Sequence, residues 1–167
     1  EISRAGERTV ETARGVKFAV IYVPEGRVES GMVWGSDYNY LLPQNITAFT
    51  IGETEVTYEL WYAVKTWATT ISSNIYYFSN QGIEGNDGSP GGSLPTPEAK
   101  NEPVTTISWR DAIVWCNALS EVTGREPVYR DIYDVLRDST QQIENSVVLN
   151  RATIDLYDGF RLPTEAE

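Results

Sequence analysis

Residues 79–103, SNQGIEGNDGSPGGSLPTPEAKNEP, form a long segment rich in glycine, proline, asparagine and aspartate between two stretches with helical periodicity. The segment is far longer than the ~4–6 residues that usually connect two secondary-structure elements. Connections of this length are either functional or loosely ordered. Strand-like sequences precede the first helical stretch and short ones follow the second, so the order of elements predicts an α+β chain with much irregular structure.

The first helical stretch begins after Thr57, which has the side chain of a typical N-cap. Apolar residues then recur at helical spacing and predict an amphipathic helix that ends near Thr70. The predicted apolar stripe contains Leu60, Trp61, Val64, Trp67, Ala68 and Ile71.

The second helical stretch carries the clearest boundaries in the sequence. Ser108 is an N-cap and Asp111 stands at N3, which is a variant of the capping box. Gly124 predicts a left-handed residue that ends the helix, and Pro127 prevents it from resuming. The face expected to be buried contains Trp109, Ala112, Ile113, Cys116 and Leu119.

Several segments predict strands. Residues 1–15 form an N-terminal arm, either a leading strand or a loose segment, and residues 16–23 are rich in β-branched and aromatic side chains. Residues 26–34 are expected to pair with them as a hairpin, and residues 46–53 predict one further strand. Short strands are also predicted at 127–130, 145–150 and 151–156.

Composition excludes several classes of function. The chain has 24 acidic and 13 basic residues, a net charge of −11, so nucleic acid would be repelled. It has no histidine, the usual general base near neutral pH and the usual transition-metal ligand. One cysteine allows neither an internal disulfide nor a Cys cluster for zinc. No apolar run approaches the ~20 residues of a membrane span.

The candidate chemical groups each have an ordinary structural interpretation. Cys116 lies on the apolar face of the second helix, where a buried inert thiol is expected. The oxygen-rich stretch 84–88 does not have the spacing of a calcium loop and is expected to be a plain turn. Three carboxylate pairs would need a shared cleft to act as acid and base, and are expected to be solvated instead: Glu53/Glu55, Asp131/Asp134 and Asp155/Asp158.

Aromatic side chains divide into two groups. One group lies in or beside loops, where exposed rings could stack on sugars or anchor a protein partner. The other group lies on helical stripes and is expected in the core. The loop group contains Trp34, Tyr38, Tyr40, Tyr76 and Tyr77, and the core group contains Trp61, Trp67 and Trp109. A weak glycosylation motif, Asn45-Ile46-Thr47, falls in a predicted strand.

Five segments, taken in order, resemble the formylglycine-generating enzyme family, also called the sulfatase-modifying factor domain. They are VPEGRVESG, FTIGETEVTYELW, EPVTTISWRDAIVWCNALSE, TGREPVY and DGFRLPTEAE. The resemblance covers roughly residues 16–167 and implies a loop-rich variant of the C-type lectin fold, with two helices and small antiparallel sheets. Arg161 is expected to pair with a buried acid or carbonyl, and Leu162 to fill the core.

The residues at both ends of the sequence predict a chain that is cut. Thr164 and Glu167 have the spacing of a capping box, which predicts the start of a helix. In the family this helix leads into the working half of the domain, so we expect a domain that is incomplete at its C-terminus. The chain opens on Glu1 without a methionine or a signal-like segment, which favours a processed or trimmed product.

Three functions follow from the resemblance. The first is a ligand-binding display protein, a variable protein of a bacterial diversity-generating retroelement, resembling spirochaete surface lipoproteins and exported to the cell surface. The second is the N-terminal part of an oxidase that converts a sulfatase cysteine to formylglycine, and the third is a structural domain. Copper or calcium would need ligands outside this chain, and we assign no residue of this chain a catalytic role. The expected partner is a protein or a carbohydrate. We favour binding over catalysis, because a fold does not transmit an activity.

Overall fold

The computed structural model describes residues 5–32, 41–73, 75–85, 89–131, 134–141, 156–164 and 167, with backbone alone for 29–32, 41–44 and 131. In chain order the elements are β1 (Arg8–Ala13), β2 (Val16–Val23), β3 (Gly26–Met32), β4 (Leu41–Ile46), β5 (Phe49–Gly52), α1 (Tyr58–Thr70), β6 (Ile83–Glu84), β7 (Val104–Thr105), α2 (Trp109–Val122), β8 (Arg130–Asp131) and β9 (Asp134–Val135). This is the α+β class that the sequence predicts. The chain divides into two compact units, one of residues 1–11, 19–53 and 163–167 and one of residues 12–18 and 54–162.

The first unit consists mainly of antiparallel strands. β2 lies between β1 and β5, and its register places Val20 opposite Gly52 and Val23 opposite Phe49. β3 pairs with β4 in a separate two-stranded sheet. β1 is paired, so the N-terminal arm contains a strand rather than only a loose segment.

Two strand predictions are wrong. β3 was expected to form a hairpin with β2 but pairs with β4, because its hydrogen-bond partners come from the later segment Leu41–Ile46, a long-range pairing that the local sequence does not determine. The strand predicted over 46–53 is two strands, since β4 ends at Ile46 and β5 starts at Phe49. The strands predicted at 145–150 and 151–156 lie outside the described residues except for Leu156, which is in a turn.

Both helices of the second unit have the predicted caps. The Thr57 side chain accepts a hydrogen bond from the Leu60 amide at the start of α1. Ser108 and Asp111 form a complete capping box on α2, in which each side chain receives the other residue's amide. Gly124 follows α2 with a φ of 78°, a conformation that glycine adopts without strain.

The core of the second unit lies where α1 and α2 pack together. The Trp61 and Trp115 rings stack with centroids 5.6 Å apart, and the Trp115 indole nitrogen donates to the Trp61 carbonyl at 3.2 Å. Phe78 packs edge-on against Trp61 with centroids 5.8 Å apart. Burial of such large aromatic surfaces supplies a major part of the free energy that holds the two helices together.

The helix α2 is buried over most of its circumference rather than along one stripe. Asp111 and residues 113–120 are all buried. α1 covers one side of α2. Residues 126–131, 134–136 and 158–162 cover other sides, where Asn117 bonds to Tyr129 and Leu136 and Ser120 bonds to Phe160. Trp109, predicted in the core, is 58% exposed because it is the first residue of the helix, before this covered region.

The long segment 79–103 is attached to α1 in its described part. Two amides of the first turn of α1, those of Tyr58 and Glu59, donate to the carbonyls of Glu102 and Lys100 at 2.8 and 2.9 Å. The Tyr58 hydroxyl donates to the Ser93 carbonyl at 2.7 Å. The segment therefore satisfies helix amides that would otherwise lack acceptors, and acts as part of the scaffold.

Residues 158–162 dock against α2 and the segment that follows it. The Phe160 amide donates to the Ser120 hydroxyl at 2.7 Å, and the Leu162 amide to the Tyr129 hydroxyl at 2.9 Å. Gly159 permits this approach, since a Cβ there would lie 2.3 Å from the Glu126 carbonyl oxygen. Leu162 packs against the core, as predicted.

The predicted C-terminal capping box is also present. The Thr164 amide donates to the Glu167 carboxylate at 2.8 Å, and the Glu167 amide to the Thr164 hydroxyl at 3.4 Å.

Candidate functional site

The carboxylate of Asp111 is the centre of a buried polar cluster. Its Oδ1 accepts from the Ser79 amide at 3.0 Å, and its Oδ2 accepts from the Asn80 side chain at 2.7 Å. The Ser108 amide and hydroxyl donate to Oδ2 at 2.9 and 2.7 Å. The Ser139 hydroxyl joins the cluster through the Ser79 amide at 2.7 Å.

These donors keep Asp111 charged. Burial on its own acts to raise the pKa of Asp111, but the hydrogen bonds from Asn80, Ser108 and Ser139 outweigh it and hold the pKa below its usual value. A carboxylate surrounded by donors is a poor proton acceptor. Asp111 therefore joins the start of α2 to the segment after α1, and its role is structural.

Glu84 plays a similar part within the long segment. It is buried, and its two carboxylate oxygens accept from the Thr96 amide and hydroxyl at 2.8 and 2.9 Å. Sequence reasoning placed Glu84 in a plain turn at 84–88, whereas it belongs to β6. Residues 86–88 of that stretch lie outside the described residues.

Lys65 is a buried amine on α1. Its Nζ donates to the side-chain oxygen of Gln81 at 2.8 Å and lies 5.7 Å from the centroid of the Tyr62 ring. Burial lowers the pKa of Lys65. Sequence reasoning missed this group, although a lysine between Val64 and Trp67 on a helix with an apolar stripe was a usable signal.

Cys116 is a buried free thiol, as predicted. Burial raises its pKa to about 12, so the thiol stays protonated at physiological pH. Since the thiolate is the reactive form, burial and the raised pKa favour an unreactive thiol in the folded protein.

A second group consists of buried Tyr76 with the half-buried side chains of Arg137 and Glu121. The Arg137 guanidinium carbon lies 5.6 Å from the Tyr76 ring centroid, and an Arg137 nitrogen pairs with the Glu121 carboxylate. Burial raises the pKa of Tyr76, the Glu121 carboxylate raises it further, and Arg137 opposes them. The Tyr76 hydroxyl nevertheless has no hydrogen bond of ordinary geometry to any residue the structure describes.

The loop aromatics have mixed outcomes. Tyr77 is 57% exposed, as expected of a possible ligand contact, and Ile75 in the same segment is 61% exposed. Tyr76 is only 2% exposed, so its prediction as a loop contact is wrong, because the alternation that exposes Ile75 and Tyr77 turns Tyr76 inward. Trp34, Tyr38 and Tyr40 lie outside the described residues.

The aromatics predicted in the core also divide. Trp61 is buried, whereas Trp67 is partly buried and packs against the core cluster. Trp109, at the start of α2, is 58% exposed.

The three carboxylate pairs do not assemble into an acid and base pair among the described side chains. Glu53 pairs with Arg8 at 2.9 Å, and Glu55 is exposed. Asp158 accepts from the Glu126 amide at 2.9 Å and so joins the segment around residue 158 to the segment after α2. Asp131 and Asp134 are register partners in β8 and β9, with the side chain of Asp131 outside the described set, as is Asp155.

Two buried polar residues of α2 have roles that the sequence did not reveal. The Asn117 side chain donates to the carbonyls of Tyr129 and Leu136 at 2.7 and 2.9 Å and accepts from the Tyr129 amide at 3.0 Å. Ser120 receives the Phe160 amide. In the sequence, both are polar residues within an otherwise apolar stretch. A prediction based on an amphipathic helix places such side chains on the solvent face.

Arg161, predicted to pair with a buried acid or carbonyl, donates to the Leu162 carbonyl at 3.1 Å. The glycosylation motif is only partly in a strand, since Asn45 and Ile46 lie in β4 and Thr47 follows it; the Asn45 residue is exposed.

No three His, Cys, Asp or Glu side chains come together as a metal-binding group within the part of the chain that the structure describes. None of the helices in the described ranges is long and apolar enough to cross a membrane. The described residues thus present a densely hydrogen-bonded scaffold with a few exposed apolar side chains.

Residues 7–167 match the family model of the sulfatase-modifying factor enzyme 1-like domain. Two solved structures are similar. CarF has 29% sequence identity and a TM-score of 0.61, covering 89% of this chain and 53% of CarF. Variable protein 1 of Treponema denticola has 28% identity and a TM-score of 0.57, covering 96% of this chain and 54% of that protein. The chain thus spans about half the length of each, and no curated protein matches it significantly.

Proposed function

The chain belongs to the family of sulfatase-modifying factor enzyme 1-like domains and has the C-type lectin-like fold of that family. We propose that it is the scaffold of a ligand-binding display protein. The observation that carries the proposal is the likeness to a variable protein over 96% of the chain. The partner we propose is an extracellular protein or carbohydrate, and the location we propose is the surface of a bacterium, with attachment through a lipid.

The internal contacts support a scaffold role. The segment 103–120 supplies the cap and the buried length of α2, and residues 158–162 dock on it through Ser120 and Tyr129. Side chains committed to such contacts cannot vary freely without loss of stability, because buried groups that lose their partners are costly. We therefore place the ligand contacts on residues outside these two segments.

Binding arrays test the proposal directly. The protein expressed from its complete gene is applied to glycan arrays and to a panel of extracellular proteins. We expect saturable binding that is competed by the free ligand and unchanged in Cys116→Ser, whose side chain is buried. Absence of saturable binding to both classes, with a folded protein by circular dichroism, would contradict a display function.

The second candidate is the oxidation of a sulfatase cysteine, which the name of the matched family favours. The oxidase members use a pair of cysteines to bind copper. This chain has one cysteine, and its thiol is buried and protonated, so the residues described here do not fit that centre. Incubation of the complete gene product with copper, oxygen and a cysteine-containing sulfatase peptide separates the two candidates, since formylglycine in the peptide would establish the oxidase.

A further inference from the structure

Tyr77 presents an exposed aromatic ring on a backbone that is held in place. Its residue is 57% exposed, whereas its neighbours Tyr76 and Phe78 are buried in the core cluster. The Tyr77 amide donates to the Arg137 carbonyl at 2.8 Å, and the Tyr77 carbonyl accepts from the Ser139 amide at 3.1 Å. Because the backbone is already ordered, a ligand that packs on this ring does not have to order the segment when it binds.

The Asp138 side chain stands beside this ring on the same face. Tyr77 and Asp138 are partners in a parallel β-bridge, and paired strands lie about 4.8 Å apart. The residues before and after Asp138 point inward, since Arg137 lies over the buried Tyr76 ring and Ser139 is buried. Successive side chains of an extended segment point to opposite faces, so Asp138 points outward together with Tyr77.

The Asp138 carboxylate is fixed by one oxygen and has the other available. Its Oδ1 accepts from the amide and the hydroxyl of Thr140 at 2.8 and 2.6 Å. No residue in the part of the chain that the structure describes donates to its Oδ2. Each carboxylate oxygen has two lone pairs, so Oδ2 can accept hydrogen bonds from the hydroxyl groups of a bound molecule.

We propose that Tyr77, Ile75 and Asp138 form a binding site for one neutral sugar unit. A sugar ring has an apolar C–H face that packs on an aromatic ring, and hydroxyl groups that donate to a carboxylate. Ile75 is 61% exposed and extends the apolar surface, because buried Tyr76 lies between Ile75 and Tyr77 and both of these point outward. This inference rests on the proposed ligand binding and names carbohydrate as the class of partner.

The size and the charge of this surface favour a neutral saccharide. One side of a protein interface uses about 20–30 residues, many more than the three that form this site. The Asp138 carboxylate and the net charge of −11 disfavour acidic sugars. One aromatic ring with a hydrogen-bond acceptor beside it matches the groups that a single sugar ring offers.

Saturation-transfer difference NMR on the protein expressed from its complete gene tests the site. The probes are the methyl glycosides of glucose, galactose and mannose, with glucuronic acid as the charged comparison. We expect saturation transfer to at least one neutral probe, strongest at the ring C–H protons that pack on Tyr77. Transfer to glucuronic acid should be weaker, because Asp138 repels its carboxylate.

Variants assign the binding to these residues. Tyr77→Ala should raise the Kd of the neutral probe at least about tenfold, whereas Tyr77→Phe keeps the ring and should change it little. Asp138→Asn replaces a charged acceptor and should also weaken binding. Leu94→Ala, which removes a side chain that is 73% exposed in the long segment, is the matched control and should have no effect.

Two results would overturn this inference. One is saturation transfer to none of the neutral probes, and the other is an unchanged Kd in a folded Tyr77→Ala variant. A ligand found on the arrays whose binding is the same in Tyr77→Ala would also refute the sugar site, but it would leave the display function intact.

Discussion

Replacement of Asp111 by alanine tests whether this carboxylate holds α2 to the segment after α1. The change removes the acceptor for the Ser108 amide, the Asn80 side chain and the Asn80 amide, which approaches at 3.4 Å. The Ser79 amide keeps the Ser139 hydroxyl as a partner. Each buried donor left without an acceptor costs about 1–3 kcal/mol, so the free energy of unfolding should fall by about 3–5 kcal/mol. That is a large share of the roughly 5–15 kcal/mol that stabilises a domain.

The assay is urea unfolding followed by tryptophan fluorescence, since Trp61 and Trp115 stack in the core. With a slope of about 2 kcal/mol per molar urea, the midpoint should drop by about 2 M. Asp111→Asn keeps the shape but turns one acceptor oxygen into a donor, and should also be destabilising. Asp134→Ala, at an exposed aspartate, is the matched control and should change the free energy by less than about 0.5 kcal/mol.

The same carboxylate predicts a pH dependence with a definite sign. The pKa of Asp111 is lower in the folded protein than the ~3.9 of an unfolded chain. Its contribution to stability is therefore complete above that unfolded value and is lost as the pH falls through the lower folded pKa. The difference in free energy of unfolding between wild type and Asp111→Asn should be constant from pH 5 to 8 and shrink below pH 4. A urea midpoint for Asp111→Ala within about 0.3 M of wild type, or a difference that grows on acidification, would show that the Asp111 carboxylate does not stabilise the fold.

Three further predictions concern buried polar groups. Tyr76→Phe removes a buried hydroxyl that lacks an ordinary hydrogen bond, so the free energy of unfolding should be unchanged or higher. Tyr129→Phe leaves the Leu162 amide without its acceptor and should lower the free energy of unfolding by about 1–2 kcal/mol. Equal losses in the two urea titrations would contradict this. Asn117→Ala removes three hydrogen bonds and should cost about 2–4 kcal/mol by the same assay, and a loss below about 1 kcal/mol would be inconsistent with the observed geometry. Cys116, with a pKa raised to about 12, should resist iodoacetamide at pH 8 until urea unfolds the protein, and rapid alkylation of the native protein would show that the thiol is accessible.

The sequence predicted the local features of this fold better than its long-range pairing. The caps at Thr57 and Ser108 depend on a side chain and an amide three residues away, so spacing alone identifies them. The partner of β3 is set by a strand that begins at Leu41, and no local signal distinguishes it from β2. Trp109 was predicted to be buried for a related reason. Periodicity identifies the apolar face of a helix, but it does not show at which residue other segments begin to cover that face.

The buried polar groups mark a second limit of sequence reasoning. Asn117 and Lys65 are both buried on helices where polar side chains are ordinarily assigned to solvent. Their partners are a carbonyl of Tyr129 and the side chain of Gln81, which only the folded chain brings near. The family resemblance predicted the fold correctly. The function does not follow from the fold, because one fold can carry different activities.

Sequencing the complete gene from many independent isolates tests whether the chain is a scaffold for variable ligand contacts. If it is, amino-acid changes should cluster in one part of the gene, while the codons for residues 103–120 and 158–162 stay nearly constant, because these residues make the buried contacts of α2. Changes spread evenly along the gene, with no cluster, would contradict it.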